Sequence, residues 1–333
     1  MSAGPTPQLP LDFSAAAQVP VHEALRPFHP VVRAWFHETL GAPTEPQVRG
    51  WPLVRAGKDV LIAAPTGSGK TLTAFLSCLD AMFRLAAEGR LTDQTHVLYV
   101  SPLKALGNDV QKNLLEPLEQ LKARAQAAGL ELPDIRVKVR TGDTPMSERA
   151  QLVKRPPHIL ITTPESLYLS LTAERSRATL ASVRTVVVDE LHALARDKRG
   201  SHFALSMERL RALVAAKAPG ATLQCIGLSA TVRPLDRLAH FLVGARDGGP
   251  AAPGGATGAP ALPCEVVQVG HVRAWELALE TPEEELSAVP THEMWGQVYD
   301  RLVALSQVHR TMLVFTNTRR LAERVAHDLG ERM

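Results

Sequence analysis

The sequence predicts an α/β protein organised on a parallel sheet, and three observations carry that reading. Six short apolar runs, Val60–Ala63, Val97–Val100, Ile135–Val139, Ile159–Thr162, Thr185–Val188 and Leu223–Leu228, alternate with stretches of helical periodicity. Near-continuous Val, Ile and Leu runs suit strands buried on both faces, and alternation with helices implies parallel pairing. The first run leads into Ala64-Pro65-Thr66-Gly67-Ser68-Gly69-Lys70-Thr71, and then into a helix with Leu72, Phe75, Leu76, Leu79 and Phe83 on one face. The fifth run leads into Asp189-Glu190. Ligands of such sheets bind beyond the carboxyl ends of the strands, so both segments fall on that edge.

Composition bounds the rest. A chain of 333 residues suits about two domains. Its 45% hydrophobic and 21% charged content is that of an ordinary globular protein. The net charge of +3 argues only weakly for nucleic acid, so any basic groove depends on local placement. Cys78, Cys225 and Cys264 are unclustered within apolar runs. They suggest buried free thiols in a reducing compartment, with neither a disulfide frame nor zinc spacing. No apolar stretch is long enough for a membrane span, and no basic-then-apolar leader opens the chain. The expected location is cytoplasmic.

Residues 1–27 open on Pro, Ala and Ser and read as a loose tail. Residues 28–244 hold the six strands. Residues 245–264 are Gly, Pro and Ala with little else, which reads as a flexible linker. Residues 265–333 read as the start of a second α/β domain. Its expected elements are strands at Glu265–Val269, Trp275–Glu280 and Thr311–Phe315, and helices at Met294–Leu305 and Thr318–Leu329.

The Gly-rich turn has the chemistry of a phosphate cradle. Its glycines let backbone N–H groups turn inward onto phosphate oxygens, and the helix N-terminus adds the positive end of its dipole. Lys70 can reach the β- and γ-phosphates, and the Thr71 hydroxyl can ligate Mg²⁺. Ala64 stands where this motif opens with glycine, and Ala is strained wherever φ must be positive. Asp189 suits Mg²⁺, directly or through water. Glu190 suits a general base that orients or deprotonates the attacking water.

Together, the phosphate loop and Asp189-Glu190-Leu191-His192 resemble a superfamily 2 helicase of the Asp-Glu-x-His (DEAD/DEAH-box) type. Further motifs of that family fall in order. Thr44-Glu45-Pro46-Gln47 resembles the Q motif that reads adenine. Tyr99-Val100-Ser101-Pro102-Leu103-Lys104-Ala105-Leu106 resembles motif Ia. Arg140-Thr141-Gly142-Asp143-Thr144 and Thr162-Thr163-Pro164-Glu165-Ser166-Leu167 resemble motifs Ib and Ic. Leu228-Ser229-Ala230-Thr231 resembles motif III, and Leu313-Val314-Phe315-Thr316-Asn317-Thr318-Arg319 resembles motif IV. The wording of Ser101–Asp109, Asn113–Leu115, Arg140–Thr144, Thr163–Tyr168 and Asn317–Arg324 is similar to the Lhr (large helicase-related) family, over about Phe28 to Met333, interrupted by the Gly/Pro/Ala segment.

The resemblance implies a RecA-like, P-loop NTPase domain followed by an incomplete second RecA-like domain, with ATP and Mg²⁺ as cofactors. It implies nucleotide contacts at Gln47, Thr66, Gly67, Ser68, Gly69, Lys70 and Thr71, catalysis by Lys70, Asp189 and Glu190, and metal binding by Thr71 and Asp189. It makes Ser229 and Thr231, with His192 as partner, the link between hydrolysis and strand movement. It places Pro102, Lys104, Gly142, Thr163, Pro164, Thr318 and Arg319 beside one single strand of nucleic acid, DNA or a DNA-containing hybrid. Blander roles stay open at this point. Thr163-Pro164 can simply start a helix. Ser229 and Thr231 can cap a helix at Pro234–Val243. Lys104 and Arg319 can be solvated cations, and His96 and His158 structural.

Residues resembling motifs V and VI, which bring arginines to the γ-phosphate in that family, are not found among the 333. The expected function is therefore an ATP-dependent helicase or translocase polypeptide, as the N-terminal portion of a larger one. The alternative is an ATP- and strand-binding module with little turnover. Asp-Glu-Leu-His and Ser-Ala-Thr disfavour a P-loop kinase of small metabolites.

Overall fold

The computed structural model describes residues 22–102, 114–129, 132–244, 264–270, 276–282 and 291–332. It divides into two compact units, residues 1–271 and 272–333.

The first unit is one seven-stranded sheet, ordered β3-β4-β2-β5-β6-β1-β7. Its strands are β1 (Val60–Ala63), β2 (Val97–Val100), β3 (Val137–Arg140), β4 (Ile159–Thr162), β5 (Thr185–Val188), β6 (Gln224–Ser229) and β7 (Glu265–Gln268). Every pairing is parallel. The helices of this unit are α1 (Pro30–Leu40), α2 (Glu45–Arg55), α3 (Lys70–Ala87), α4 (Glu116–Ala127), α5 (Met146–Lys154), α6 (Pro164–Thr172), α7 (Glu174–Leu180), α8 (Leu191–Leu194), α9 (Lys198–Lys217) and α10 (Leu235–Val243).

Each central strand is buried on both faces because its side chains alternate between two cores. Val60 and Ile62 join a cluster with Trp51, Phe36, Phe75 and Leu121, which α1 to α4 supply. Leu61 joins the opposite cluster with Leu167, Phe203, Met207 and Leu238, which α6, α9 and α10 supply. Val97 and Tyr99 against Leu98 and Val100 divide the same way. β3 is the exception. It is an edge strand with Lys138 and Val139 exposed, and it runs one residue past the expected run, after buried Ile135.

Two sequence expectations are corrected in this unit. The tail is shorter than 27 residues, because a turn of 3₁₀ helix at Glu23–Leu25 buries Leu25 in the first core. The segment at 265 does not open a second domain. It is β7, paired with β1 from Val60↔Glu265 to Ala63↔Gln268. The Gly/Pro/Ala segment 245–263 lies outside the described residues. Its chain returns to the same sheet, and Val267 and Val269 are buried in the same core as Ile62.

Two buried polar groups tie elements together. Asp80, 1% exposed, accepts from Arg55 (2.6 Å), Arg84 (2.9 Å) and the His29 amide (2.5 Å), tying α3 to α1 and α2. His158 is buried and its Nδ1 accepts from the Arg136 amide at 3.0 Å, a structural role. Burial, and then Arg136, hold its pKa below the ordinary value. The three cysteines are buried and form no disulfide, and burial pushes Cys78 up to about 12. Among the described residues no helix is long and apolar enough to cross a membrane.

The second unit holds α11 (His292–Val308) and α12 (Arg319–Arg332). The expected strands there do not form: residues 276–280 and 311–315 pair with nothing among the described residues. A strand needs a hydrogen-bonded neighbour, whatever its β-propensity. Leu313 and Phe315 are accordingly 78% and 91% exposed. Trp275 lies outside the described residues.

Candidate functional site: a nucleotide cradle and a strand track on one sheet edge

The carboxyl edge of the sheet is divided between two sets of residues. The neighbours β1, β6 and β5 end in the phosphate loop, in Ser229-Ala230-Thr231 and in Asp189-Glu190. The neighbours β2, β4 and β3 end at Pro102, Thr163-Pro164 and Gly142. Strand order, which the sequence does not print, thus sorts the nucleotide motifs from the strand motifs.

The cradle is built from two directions. Gly69 sits at φ +84°, the N-cap of α3, in the left-handed region that glycine enters without penalty. A Cβ there would lie 2.8 Å from Gln47 Nε2 and 3.2 Å from Thr44 Oγ1, so α2 presses directly on the loop. Thr44 and Gln47 form a capping box, with the Thr44 amide donating to Gln47 Oε1 at 2.8 Å. The Thr44 hydroxyl then donates to the Ser68 carbonyl at 2.8 Å. A Gly69→Ala substitution is expected to cost about 1–3 kcal/mol, for backbone strain plus the clash with Gln47. Urea denaturation of the purified variant checks this. Thr66 and Gly67 are exposed in the turn. Ala64 is not strained, contrary to the concern its sequence position raises. Glu190 alone among described non-glycine residues has positive φ. The Ala64 amide donates to the Ser229 carbonyl at 3.1 Å, simply extending the β1–β6 ladder.

Two features fit this cradle to an anion. Lys70, the first residue of α3, is only 5% exposed, and no hydrogen bond or ion pair engages it among the described residues. An ammonium placed at the loop with no acid beside it can take a phosphate as its partner. Ser68 Oγ is likewise shielded and without a partner.

The acids are positioned by contacts that the sequence did not announce. Tyr99 on β2 donates its hydroxyl to Asp189 Oδ2, while the Glu190 amide donates to Asp189 Oδ1 at 2.8 Å. Tyr99 is itself locked by stacking on Phe75, 4.6 Å between centroids. Both Asp189 oxygens are thus oriented by donors, the more distant in sequence being Tyr99. Its one sequence signal was a polar tip within the apolar run Val97–Val100. Glu190 sits at φ 46°, ψ 41°, capping α8.

His192 bridges this segment to the next strand. Its Nδ1 accepts from the Ala230 amide at 3.3 Å and lies 3.3 Å from Glu190 Oε2. One nitrogen cannot accept from an amide and donate to a carboxylate at once. The neutral ring with its proton on Nε2 serves Ala230, and a proton on Nδ1 serves Glu190. The partner of His192 is therefore the Ala230 backbone and Glu190, in place of the Ser229 or Thr231 side chains. The Ser229 hydroxyl is turned to the Ala230 carbonyl at 2.9 Å, and Thr231 is exposed.

On the other half of the edge, Thr163 caps α6 by accepting from the Ser166 amide at 3.3 Å, with Pro164 at the first helical position. The helix-start reading is therefore realised in the geometry. It leaves the N-terminus of α6 at the carboxyl edge of the sheet. Arg149 of α5 holds the Gly142 turn by donating to its carbonyl at 2.7 Å. Lys104 lies outside the described residues. Thr318 and Arg319 belong to the second unit; Thr318 Oγ1 accepts from the Leu321 amide at 3.2 Å, and Arg319 is 92% exposed with Glu323 at 3.1 Å.

Known proteins resemble this chain over most of its length. The DEAD/DEAH box helicase profile matches residues 44–238. The chain is 44% identical over 304 residues to the ATP-dependent helicase Lhr-Core of Methanothermobacter thermautotrophicus, covering 91% of this chain and 33% of that protein. It is 42% identical over 314 residues to the Lhr helicase/uracil glycosylase of Escherichia coli, covering 91% and 20%. The solved structure of Mycobacterium smegmatis helicase Lhr bound to ssDNA and AMP-PNP superposes with a TM-score of 0.73 at 41% identity, over 93% of this chain and 36% of that one. A DUF1998 helicase, MrfA, shares the fold at a TM-score of 0.66 and 21% identity. The chain thus spans a third or less of the length of these curated relatives. With a profile covering more than half its residues, a RecA-like sheet and Lhr helicases similar to it over nine-tenths of its length, the chain belongs to the DEAD/DEAH box helicase family.

Proposed function

We propose that this chain is the nucleotide-binding and strand-binding core of an ATP-dependent DNA helicase or translocase of Lhr type. The observation that supports it most is the divided sheet edge, where one set of strand ends carries an anion cradle and acids while the neighbouring set carries the strand motifs. Lys70 would neutralise the β- and γ-phosphates, with the loop amides and Ser68 around them. Gln47, held at the cradle by Thr44, would meet the adenine. Thr71 and Asp189 would hold Mg²⁺, which supplies charge neutralisation on the phosphates. Glu190 would orient a water and take its proton. His192 would carry the state of Glu190 to Ala230 and so to Ser229 and Thr231. Pro102, Lys104, Gly142, Thr163 and Pro164 would follow the sugar–phosphate backbone without reading bases. The buried reduced cysteines suit a cytoplasmic setting.

Turnover and strand movement are proposed for a polypeptide that also carries a complete second RecA-like domain. An arginine reaching the γ-phosphate from across the cleft is worth about 10³–10⁵ in rate. The chain by itself is expected to bind ATP·Mg²⁺ and single-stranded DNA. Calorimetry with a non-hydrolysable ATP analogue and anisotropy of a labelled oligo(dT) measure the two. Failure to bind either ligand overturns the proposal, and an equal affinity for oligo(U) overturns the preference for DNA.

A further inference from the structure

Arg199, on the first turn of α9, belongs to none of the motifs above, yet it touches two of them. Its Nε donates to Glu165 Oε1 at 2.8 Å, and its Nη2 donates to the Pro102 carbonyl at 3.1 Å. One guanidinium thus joins the end of β2 to the first turn of α6. Resting on the strand-binding reading above, we propose that Arg199 is a positioning residue for the nucleic-acid strand: it fixes the Pro102 turn and neutralises the Glu165 carboxylate at the α6 N-terminus.

The fixed placement of Arg199 has a structural cause. The Asp197 side chain accepts from the Arg199 amide at 2.8 Å and caps α9. The adjacent Gly200 packs so closely on the end of α8 that a Cβ would lie 2.1 Å from the Leu194 carbonyl oxygen. The first turn of α9 is therefore seated on the short helix that Glu190 caps. Arg199 reaches from the Asp-Glu-x-His segment to both strand motifs.

Stability is a poor explanation for this contact. Arg199 and Glu165 are 45% and 51% exposed, and exposed pairs contribute little. Charge placement is a better one. Glu165 stands two residues from Thr163, at the helix end that offers N–H groups to a phosphate. Burial pushes the Glu165 pKa up, but the Arg199 hydrogen bond, its own amide and the Thr163 hydroxyl outweigh it and hold it below the ordinary range. At neutral pH the carboxylate is charged. Without Arg199 it is an uncompensated anion beside the path of another anion.

The test is anisotropy of fluorescein-labelled oligo(dT) on the 333-residue chain, across a salt series, with wild type, R199A, E165Q and the R199A/E165Q double variant. R199A is expected to weaken binding by about fivefold or more. Adding E165Q is expected to recover most of that loss, which a merely structural arginine would not show. Affinity for a non-hydrolysable ATP analogue should stay at the wild-type value in all four, which also reports folding. R199A binding like wild type overturns the proposal. So does an unrescued double variant whose salt slope falls by about one, the mark of a direct phosphate contact. A wild-type chain that ignores the oligonucleotide overturns the strand-binding reading itself, and the role of Arg199 with it.

Discussion

Exchanging Glu190 for Gln is expected to lower ATP turnover by about 10²–10⁴-fold, the usual cost of losing a general base. The measurement belongs in a polypeptide that carries both RecA-like domains, under saturating ATP. Nucleotide affinity should stay near wild type, because Glu190 reaches toward His192 Nδ1 at 3.3 Å, while the phosphate loop is built from β1 and α3. Gln keeps the length of Glu and can occupy the same backbone conformation, so α8 should survive. It cannot accept a proton from water. If turnover changes less than about tenfold, the base is another group, and Glu190 serves only to hold His192.

The Lys70→Ala variant is expected to lose ATP affinity by roughly 10–150-fold, from one or more charge-assisted hydrogen bonds of about 1.5–3 kcal/mol. Calorimetry on the 333-residue chain reads it directly. The folded state gives a second signal. No hydrogen bond or ion pair engages Lys70 among the described residues, so its removal breaks none in the folded state. Thermal stability without nucleotide should hold. A variant that binds ATP like wild type sinks the assignment. One that also melts far lower would make Lys70 a structural residue.

Local signals were legible in the sequence and non-local ones were not. Val60–Ala63, Val97–Val100, Ile159–Thr162 and Thr185–Val188 form strands at the bounds the apolar runs set, because a strand buried on both faces writes itself as consecutive aliphatic residues. The Gly67–Lys70 turn was legible because positive φ leaves glycine as a visible trace. Glu265–Gln268 was legible as a strand and misplaced as a domain, because pairing across a linker leaves no trace in either partner. Thr311–Phe315 has strand propensity without a neighbour to pair with. Tyr99, Arg149 and Arg199 escaped notice for one reason. Each acts at long range on another element, through a single hydrogen-bonding tip that neither spacing nor periodicity encodes.

The placement of β7 has a consequence for how this chain is made. Val60, at the root of the phosphate loop, pairs with Ile226 on one side and Glu265 on the other. Of the seven strands, the one that carries the loop is made first and its second neighbour last. At typical elongation rates the wait for its second neighbour is roughly 10–40 s. During that interval β1 presents an open, wholly aliphatic edge, the kind that recruits wrong partners. The nucleotide cradle would then be a late product of synthesis, ready only after the Gly/Pro/Ala segment has been made. A gene fragment ending at residue 244 would leave that edge open permanently.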